Sequence, residues 1–271
     1  MPPELPPPAG PPAQPSDPAA HSLRGRCAIV TGASRGIGRA IALAYTRAGA
    51  QVVINHAPDQ AVPQDLLDLI AAEGGQAVAV QADVGRSADQ ERLLAAALTH
   101  FGRIDILVNN AAIKGQASFL EVTEATWDEV MRTNLQGPYF LAQRVAREML
   151  RAGTRGRIIN LSSLHESKPL RGSSVYSISK SGLAMLTMTL ALELARQGIT
   201  VNSILPGSYL TQMNLLALND PARKADADNW VPVGRMGLPE DLVATAVFLA
   251  GPNSDYITGS CIRVDGGLSL V

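Results

Sequence analysis

Seven apolar runs of strand length, separated by stretches of helical periodicity, constrain this chain more than any other feature. The runs lie at 27–31, 52–55, 77–81, 104–109, 157–162, 200–205 and 261–264. Helical patterns fill the intervals at 36–49, 63–74, 87–101, 123–152, 174–197 and 239–250. The runs are almost continuously apolar, which is what a strand needs when helices cover both faces of its sheet. Strand and helix in alternation lead to parallel pairing through crossover helices. The expected class is therefore α/β, a doubly wound fold in a single domain.

Two segments depart from the rhythm. Residues 1–22 hold nine of the 18 prolines, the acids Glu4 and Asp17, and no Lys, Arg or aromatic residue. That composition matches neither a signal peptide nor a transit peptide, and it predicts a disordered, polyproline-like tail ahead of a domain at 23–271. Residues 207–238 form a connection of about thirty residues where a short crossover would do. It carries Met213, Leu215, Leu216 and Leu218, a charged run at 223–228, and then Trp230-Val231-Pro232. This apolar insert reads as a lid over a substrate.

Charge and composition remove other classes. The net charge is −1, and +1 once the tail is set aside, so no basic field draws the chain to nucleic acid. No run of eighteen apolar residues is present, which argues against a membrane role. Cys27 and Cys261 are too few for a disulfide framework and suit a reducing, cytoplasmic setting. The histidines at 21, 56, 100 and 165 are dispersed, and no metal cluster is visible.

The first strand runs into Thr31-Gly32-Ala33-Ser34-Arg35-Gly36-Ile37-Gly38 and then a helix. A strand-to-helix turn aims backbone N–H groups and the positive helix end at an anion. Gly32 supplies the tight turn, Gly36 admits a pyrophosphate, and Gly38 lets the helix sit close to the sheet. The second strand ends Asn55-His56, with no carboxylate before Asp59, so nothing there repels a ribose 2′-phosphate. With Ser34 and Arg35 nearby, the reading is NADP(H) in preference to NAD(H). Asp83 and Val84, closing the third strand, are placed to meet an adenine, and Asn109-Asn110-Ala111 closes the fourth. All lie at carboxyl ends of strands, the edge where open α/β sheets bind ligands.

Of five tyrosines, only Tyr176 has a lysine, Lys180, four residues on. On a helix that spacing puts phenol and ammonium one turn apart on one face. The chain has only four lysines, at 114, 168, 180 and 224, against 19 arginines, so a lysine in an apolar stretch suggests a need for a compact ammonium. An adjacent ammonium is expected to lower the pKa of a tyrosine toward the range useful for proton transfer. Ser163, after the fifth strand, can hydrogen-bond the same substrate oxygen.

These residues together resemble the short-chain dehydrogenase/reductase family over 24–267. The resemblance rests on TGxxxGxG at 31–38, Asp83, the Asn-Asn-Ala at 109–111, Asn134, Ser163, YxxxK at 176–180, Pro206-Gly207 with Thr211, and Thr258-Gly259 with Asp265-Gly266-Gly267. It implies a Rossmann-type three-layer sandwich with a seven-stranded parallel sheet. It implies that Tyr176 is the acid/base, that Lys180 tunes it and holds the nicotinamide ribose, that Ser163 orients the substrate, and that Asn134 anchors a water leading from Lys180. Pro206, Gly207 and Thr211 would pass along the nicotinamide carboxamide. His165 and Tyr209 would contact the substrate, with Leu164 and Arg171 nearby. Relatives pair their long helices, which implies a homotetramer.

The family pattern carries glycine where this chain has Ala112, a source of strain if the backbone there takes a positive φ. Ser163-Leu164-His165-Glu166 resembles the glucose-dehydrogenase branch, although Lys114 stands where those enzymes often have an acid. The leading expectation is a carbonyl reductase or alcohol dehydrogenase acting on a small molecule. Sugar or polyol dehydrogenase and ketoacyl-carrier-protein reductase remain open within that class, and a non-catalytic NADP(H) sensor or scaffold outside it.

Overall fold

A computed structural model describes residues 22–211 and 230–271. The tail up to residue 21 and the lid residues 212–229 lie outside the described residues. Seven strands, β1 (Cys27–Val30), β2 (Gln51–His56), β3 (Gln76–Gln81), β4 (Ile106–Asn109), β5 (Arg157–Leu161), β6 (Thr200–Pro206) and β7 (Cys261–Val264), form one sheet. Its order is β3-β2-β1-β4-β5-β6-β7, with every pair parallel. The expected seven-stranded architecture is thus present.

Neighbouring residues on each central strand feed opposite faces. Ala28, Val30, Val52, Ile54, Ile106 and Val108 join one buried cluster, with Ile41 and Tyr45 of α1 (Gly36–Arg47), Leu66 and Ile70 of α2 (Gln64–Ala72), and Leu242, Ala246 and Leu249 of the last long helix. Cys27, Ile29, Val53 and Leu107 face the other way, onto Leu93 and Ala97 of α3 (Ser87–Phe101) and onto residues of the two long helices after β4. Two apolar layers explain why these strands show no polar alternation. At the far end of the sheet Arg157, 2% exposed, is held by Asp255 and by the Gly251 carbonyl.

The helical stretch expected at 123–152 is not continuous. It divides into α4 (Glu124–Met131), a π-helical turn (Arg132–Gln136) and α5 (Gly137–Arg151). Pro138 has no N–H to give the carbonyl of Asn134, four residues back, so an unbroken α-ladder cannot run through. The buried Asn134 side chain then fixes the turn, accepting from Ile113 N–H at 2.9 Å and donating to its carbonyl at 2.8 Å. Helix α6 (Ser174–Leu194) follows β5, and α7 (Glu240–Ala250) precedes β7.

With a 3₁₀ extension to Gln197, α6 has a mean hydropathy of 1.2 and the length to cross a bilayer. The absence of long apolar runs had argued otherwise. In the fold it is a core helix, with Val175, Ser179, Leu183, Leu186, Thr187 and Ala191 buried. No non-glycine residue among those described has a positive φ, so Ala112 is accommodated without the strain its departure from glycine raised.

Candidate active site

The chain moves outward from β1 to β3, then returns to place β4 on the other side of β1. At this reversal the loops after β1 and β4 diverge and open a crevice at the carboxyl edge. Thr31 and Asn110 hold it. Thr31 Oγ1 accepts from the N–H groups of Asn110 and Ala111 at 2.9 and 3.0 Å, while Asn110 Nδ2 donates to the carbonyls of Thr31 and Gly32. The bonds of Asn110 thus bridge 79 and 78 positions of sequence.

The glycine loop has the shape its spacing implies. Gly36 takes φ +56°, and a Cβ there would stand 3.6 Å from Thr211, so the glycine loop and the segment after β6 face each other. A Cβ at Gly38 would lie 2.5 Å from the Gly32 carbonyl and from Asn110 Nδ2, so only glycine permits this approach of α1. Helix α1 starts at Arg35 without a side-chain cap and has no acid in its first turn. Its positive end is left for an outside anion, and this cradle fits the diphosphate of a dinucleotide. Ile37 packs on the core below.

Other cofactor candidates occupy different settings. Asn55 is buried and braces the loop, accepting from Gly32 N–H at 3.0 Å and donating to the Ala82 carbonyl at 2.9 Å. His56 is buried, not an exposed strand end, with Nδ1 3.1 Å from the Gln60 carbonyl. Ser34 Oγ donates to Gln60 Oε1 at 2.6 Å, which brings Gln60 into the adenosine end of the site. Asp83 is bound by Arg132 at 2.6 Å and by Gly85 N–H, and Arg86 lies 3.3 Å away. Partial burial opposes its ionisation, but these donors and charges outweigh burial and hold the carboxyl below the usual range. Val84 is buried, its carbonyl bonded by Gln90. Asn109 is buried away from the crevice, donating to Asn160 at 2.9 Å; Ala111 lines the loop, and a Cβ on Gly32 would touch it. Pro206 ends β6, and Gly207 lies so close to Asp265 that a Cβ would come within 2.7 Å of its Cα.

At the reacting end, Tyr176 and Lys180 share one face of α6, with Lys180 Nζ 5.7 Å from the centre of the phenol ring. Lys180 is buried, and Nζ donates to the Leu161 carbonyl at 2.7 Å. Burial pulls its ammonium down to about 8, against the opposing charge of Glu166. Ser163 lies two residues past the end of β5, at the start of the 3₁₀ turn Leu164–Glu166, and its hydroxyl hydrogen-bonds the Tyr176 phenol. The expected lowering of the tyrosine does not hold in this site. Burial raises the Tyr176 pKa and outweighs the Ser163 bond, because a phenolate would lose its hydration. The phenol is therefore kept protonated. Asn134 lies behind the site and donates to Ser179 of α6 at 3.1 Å, so its side chain locks the Ile113 loop to the catalytic helix.

His165 sets its ring 6.3 Å from that of Tyr176, edge to face, with Nδ1 2.9 Å from the Lys168 carbonyl. A cleft of about 660 Å³ is lined by Gln116, Phe119, Leu170, Arg171, Gly172 and Ser174, the last at the start of α6. Lys114, on the loop that Asn134 holds, is half-buried, and burial lowers its pKa. Tyr209 is not on the cleft wall. It is buried with its hydroxyl on the Val264 carbonyl at 2.9 Å, packed under Gly237. Burial and then the charges of Asp241 and Asp265 push it up to about 12.

The family model described as Enoyl-(Acyl carrier protein) reductase matches residues 32–269. An L-rhamnose 1-dehydrogenase (NAD(P)(+)) of Azotobacter vinelandii is 42% identical over 243 residues, 89% of this chain and 95% of that one. A 3beta-hydroxysteroid dehydrogenase 1 of Eggerthella lenta is 39% identical over 248 residues, 92% of this chain and 95% of that one. The crystal structure of a gluconate 5-dehydrogenase from Burkholderia cenocepacia, in complex with NADP and tartrate, superposes with a TM-score of 0.87 at 34% identity, covering 93% of this chain and 98% of that one.

Proposed function

The chain belongs to the short-chain dehydrogenase/reductase family and is an NAD(P)-dependent oxidoreductase of alcohol and carbonyl groups; from that premise we propose that it interconverts a ketone and a secondary alcohol on a polyhydroxylated small molecule, with NADP(H) preferred. The observation that carries this reading is the pairing of Tyr176 with buried Lys180 on one face of α6, Nζ 5.7 Å from the centre of the phenol ring, with Ser163 beside them. When bound, the dinucleotide supplies the hydride carrier. Ser163 holds the substrate oxygen, and Tyr176 gives its proton to that oxygen in reduction or takes it back in oxidation. The Lys180 charge steadies the phenolate left behind.

Gly32, Ser34, Arg35, Gly36, Ile37 and Gly38 cradle the diphosphate and adenosine ribose, with Asn55, His56 and Gln60 bracing the loop. Arg35 and Ser34 stand where a 2′-phosphate would lie, and β2 ends without a carboxylate. Arg35→Ala is expected to lower kcat/KM for NADPH about tenfold or more and leave that for NADH within about twofold, since a charge-assisted phosphate contact contributes about 1.5–3 kcal/mol. A preference for NADH that Arg35→Ala does not alter would remove this assignment.

Arg171 and Gln116 on the cleft wall offer hydrogen-bond and charge partners that support a sugar or sugar acid as the substrate. Absorbance at the reduced nicotinamide band, read with aldoses, aldonates and hydroxysteroids, checks this. The largest kcat/KM is expected for an aldonate or aldose. A steroid optimum would overturn the substrate class and keep the chemistry. Tyr139 and Phe140 of α5, and Ile178, Met185 and Leu192 of α6 at seven-residue spacing, are exposed. Such stripes suit helix pairing between copies, which supports a homotetramer. The free thiols of Cys27 and Cys261 suit a reducing cytoplasm.

A further inference from the structure

Glu166 takes no part in the chemistry above, yet its carboxylate is the most connected group behind Lys180. It sits in the 3₁₀ turn Leu164–Glu166, directly after Ser163. Oε2 accepts from Ser162 Oγ at 2.5 Å. Oε1 accepts from the Cys261 thiol on edge strand β7 at 3.1 Å, and Cys261 Sγ lies 2.8 Å from Ser203 Oγ of β6. The Glu166 carbonyl accepts from Ser181 Oγ of α6 at 2.7 Å.

The Glu166 carboxylate thus ties the residue after β5 to the first residue of β7, and its backbone carbonyl ties the same turn to the helix that carries Tyr176 and Lys180. Ser162, which it holds, lies between Leu161, whose carbonyl takes the Lys180 ammonium, and Ser163, which bonds the phenol. Building on the dehydrogenase reading, we propose that Glu166 is a positioning residue of the reaction: its carboxylate is the counter-charge of Lys180, and the bonds it accepts fix the turn that presents Ser163.

The charged and titratable groups around the pair are few among the described residues. Tyr176 is on the same helix as Lys180. From β7 come Cys261 and Arg263, the latter acting on Cys261. The Cys261 thiol is pushed up to about 12, by burial first and by Glu166 among the later causes, so it stays a neutral donor. Glu166 is then the negative charge acting on Lys180, and it works against the effect of burial.

The small number of lysines makes this directly measurable. With 13Cε-labelled lysine the chain gives four side-chain signals, and Lys180→Arg identifies that of Lys180. In Glu166→Gln, which keeps the shape of the side chain and loses the charge, the Lys180 titration midpoint is expected to fall by about half to one pH unit. The alkaline limb of kcat should move down by the same amount. Cys261→Ala retains the carboxylate and should leave the midpoint in place, which separates charge from packing. An unchanged midpoint in Glu166→Gln overturns the role of Glu166 whatever the activity. Because the titration is read without turnover, a failure of the dehydrogenase reading would show separately, as absent activity with the midpoint shift intact.

Discussion

Replacing Tyr176 by Phe is expected to lower kcat by about 10²–10⁴-fold, the range a positioned general acid contributes, and to leave the fold and NADP(H) affinity close to wild type. The substitution removes one oxygen from a ring that is 8% exposed and packed beside His165, so the shape of the site is kept. What is lost is the proton that burial keeps on the phenol against the opposing effect of the Ser163 bond. Ser163 can still orient a carbonyl, so a residual rate above solution is expected. Circular dichroism and NADPH fluorescence titration provide the controls. Undiminished turnover in this variant would remove the phenol from the mechanism.

A large stability effect is expected at the opposite end of the same strand. Arg157 opens β5 with its side chain 3% exposed, and Asp255 is its carboxylate partner. Burial disfavours the guanidinium charge, Asp255 offsets this, and Arg26 and Arg155 add like charge nearby. Asp255→Ala leaves a buried cation without its partner. Breaking buried pairs costs about 3–5 kcal/mol, and the lower end applies here because Asp255 is partly exposed. For a domain of this size that lowers Tm by roughly 6–12 °C. The chemistry lies at the other end of β5, so kcat at 25 °C should change little. Adding Arg157→Met should recover much of the loss, because removing both charges removes the unpaired cation. A Tm within about 2 °C of wild type for Asp255→Ala would contradict this account of the pair.

The sheet was legible because its evidence is local. Continuous apolar runs such as Val52–Val53–Ile54 state that both faces are covered, and the observed strands differ from the expected bounds by at most about two residues at either end. The glycine spacing at 31–38 and the pairing of Tyr176 with Lys180 on one helical face are local in the same sense. The π turn at 132–136 was not legible, because its cause is shared between Pro138 in the sequence and the Ile113 backbone in space. Burial was hidden too. His56 and Tyr209 looked available to ligands but are enclosed and engaged by backbone carbonyls. Gln60 and Arg132 were missed for the converse reason: their partners, Ser34 and Asp83, lie 26 and 49 positions away.

The central claim is hydride exchange at a carbon whose oxygen is served by Tyr176. It is tested most directly by supplying NADPH deuterated at C4 of the nicotinamide, in each stereochemical form, with a keto-sugar acid and reading the product by mass spectrometry. The account predicts one deuterium on the new carbinol carbon from one of the two forms, and loss of that transfer in Tyr176→Phe. Cofactor binding with no deuterium delivered to any carbonyl substrate, or transfer that persists without the phenol, would contradict it.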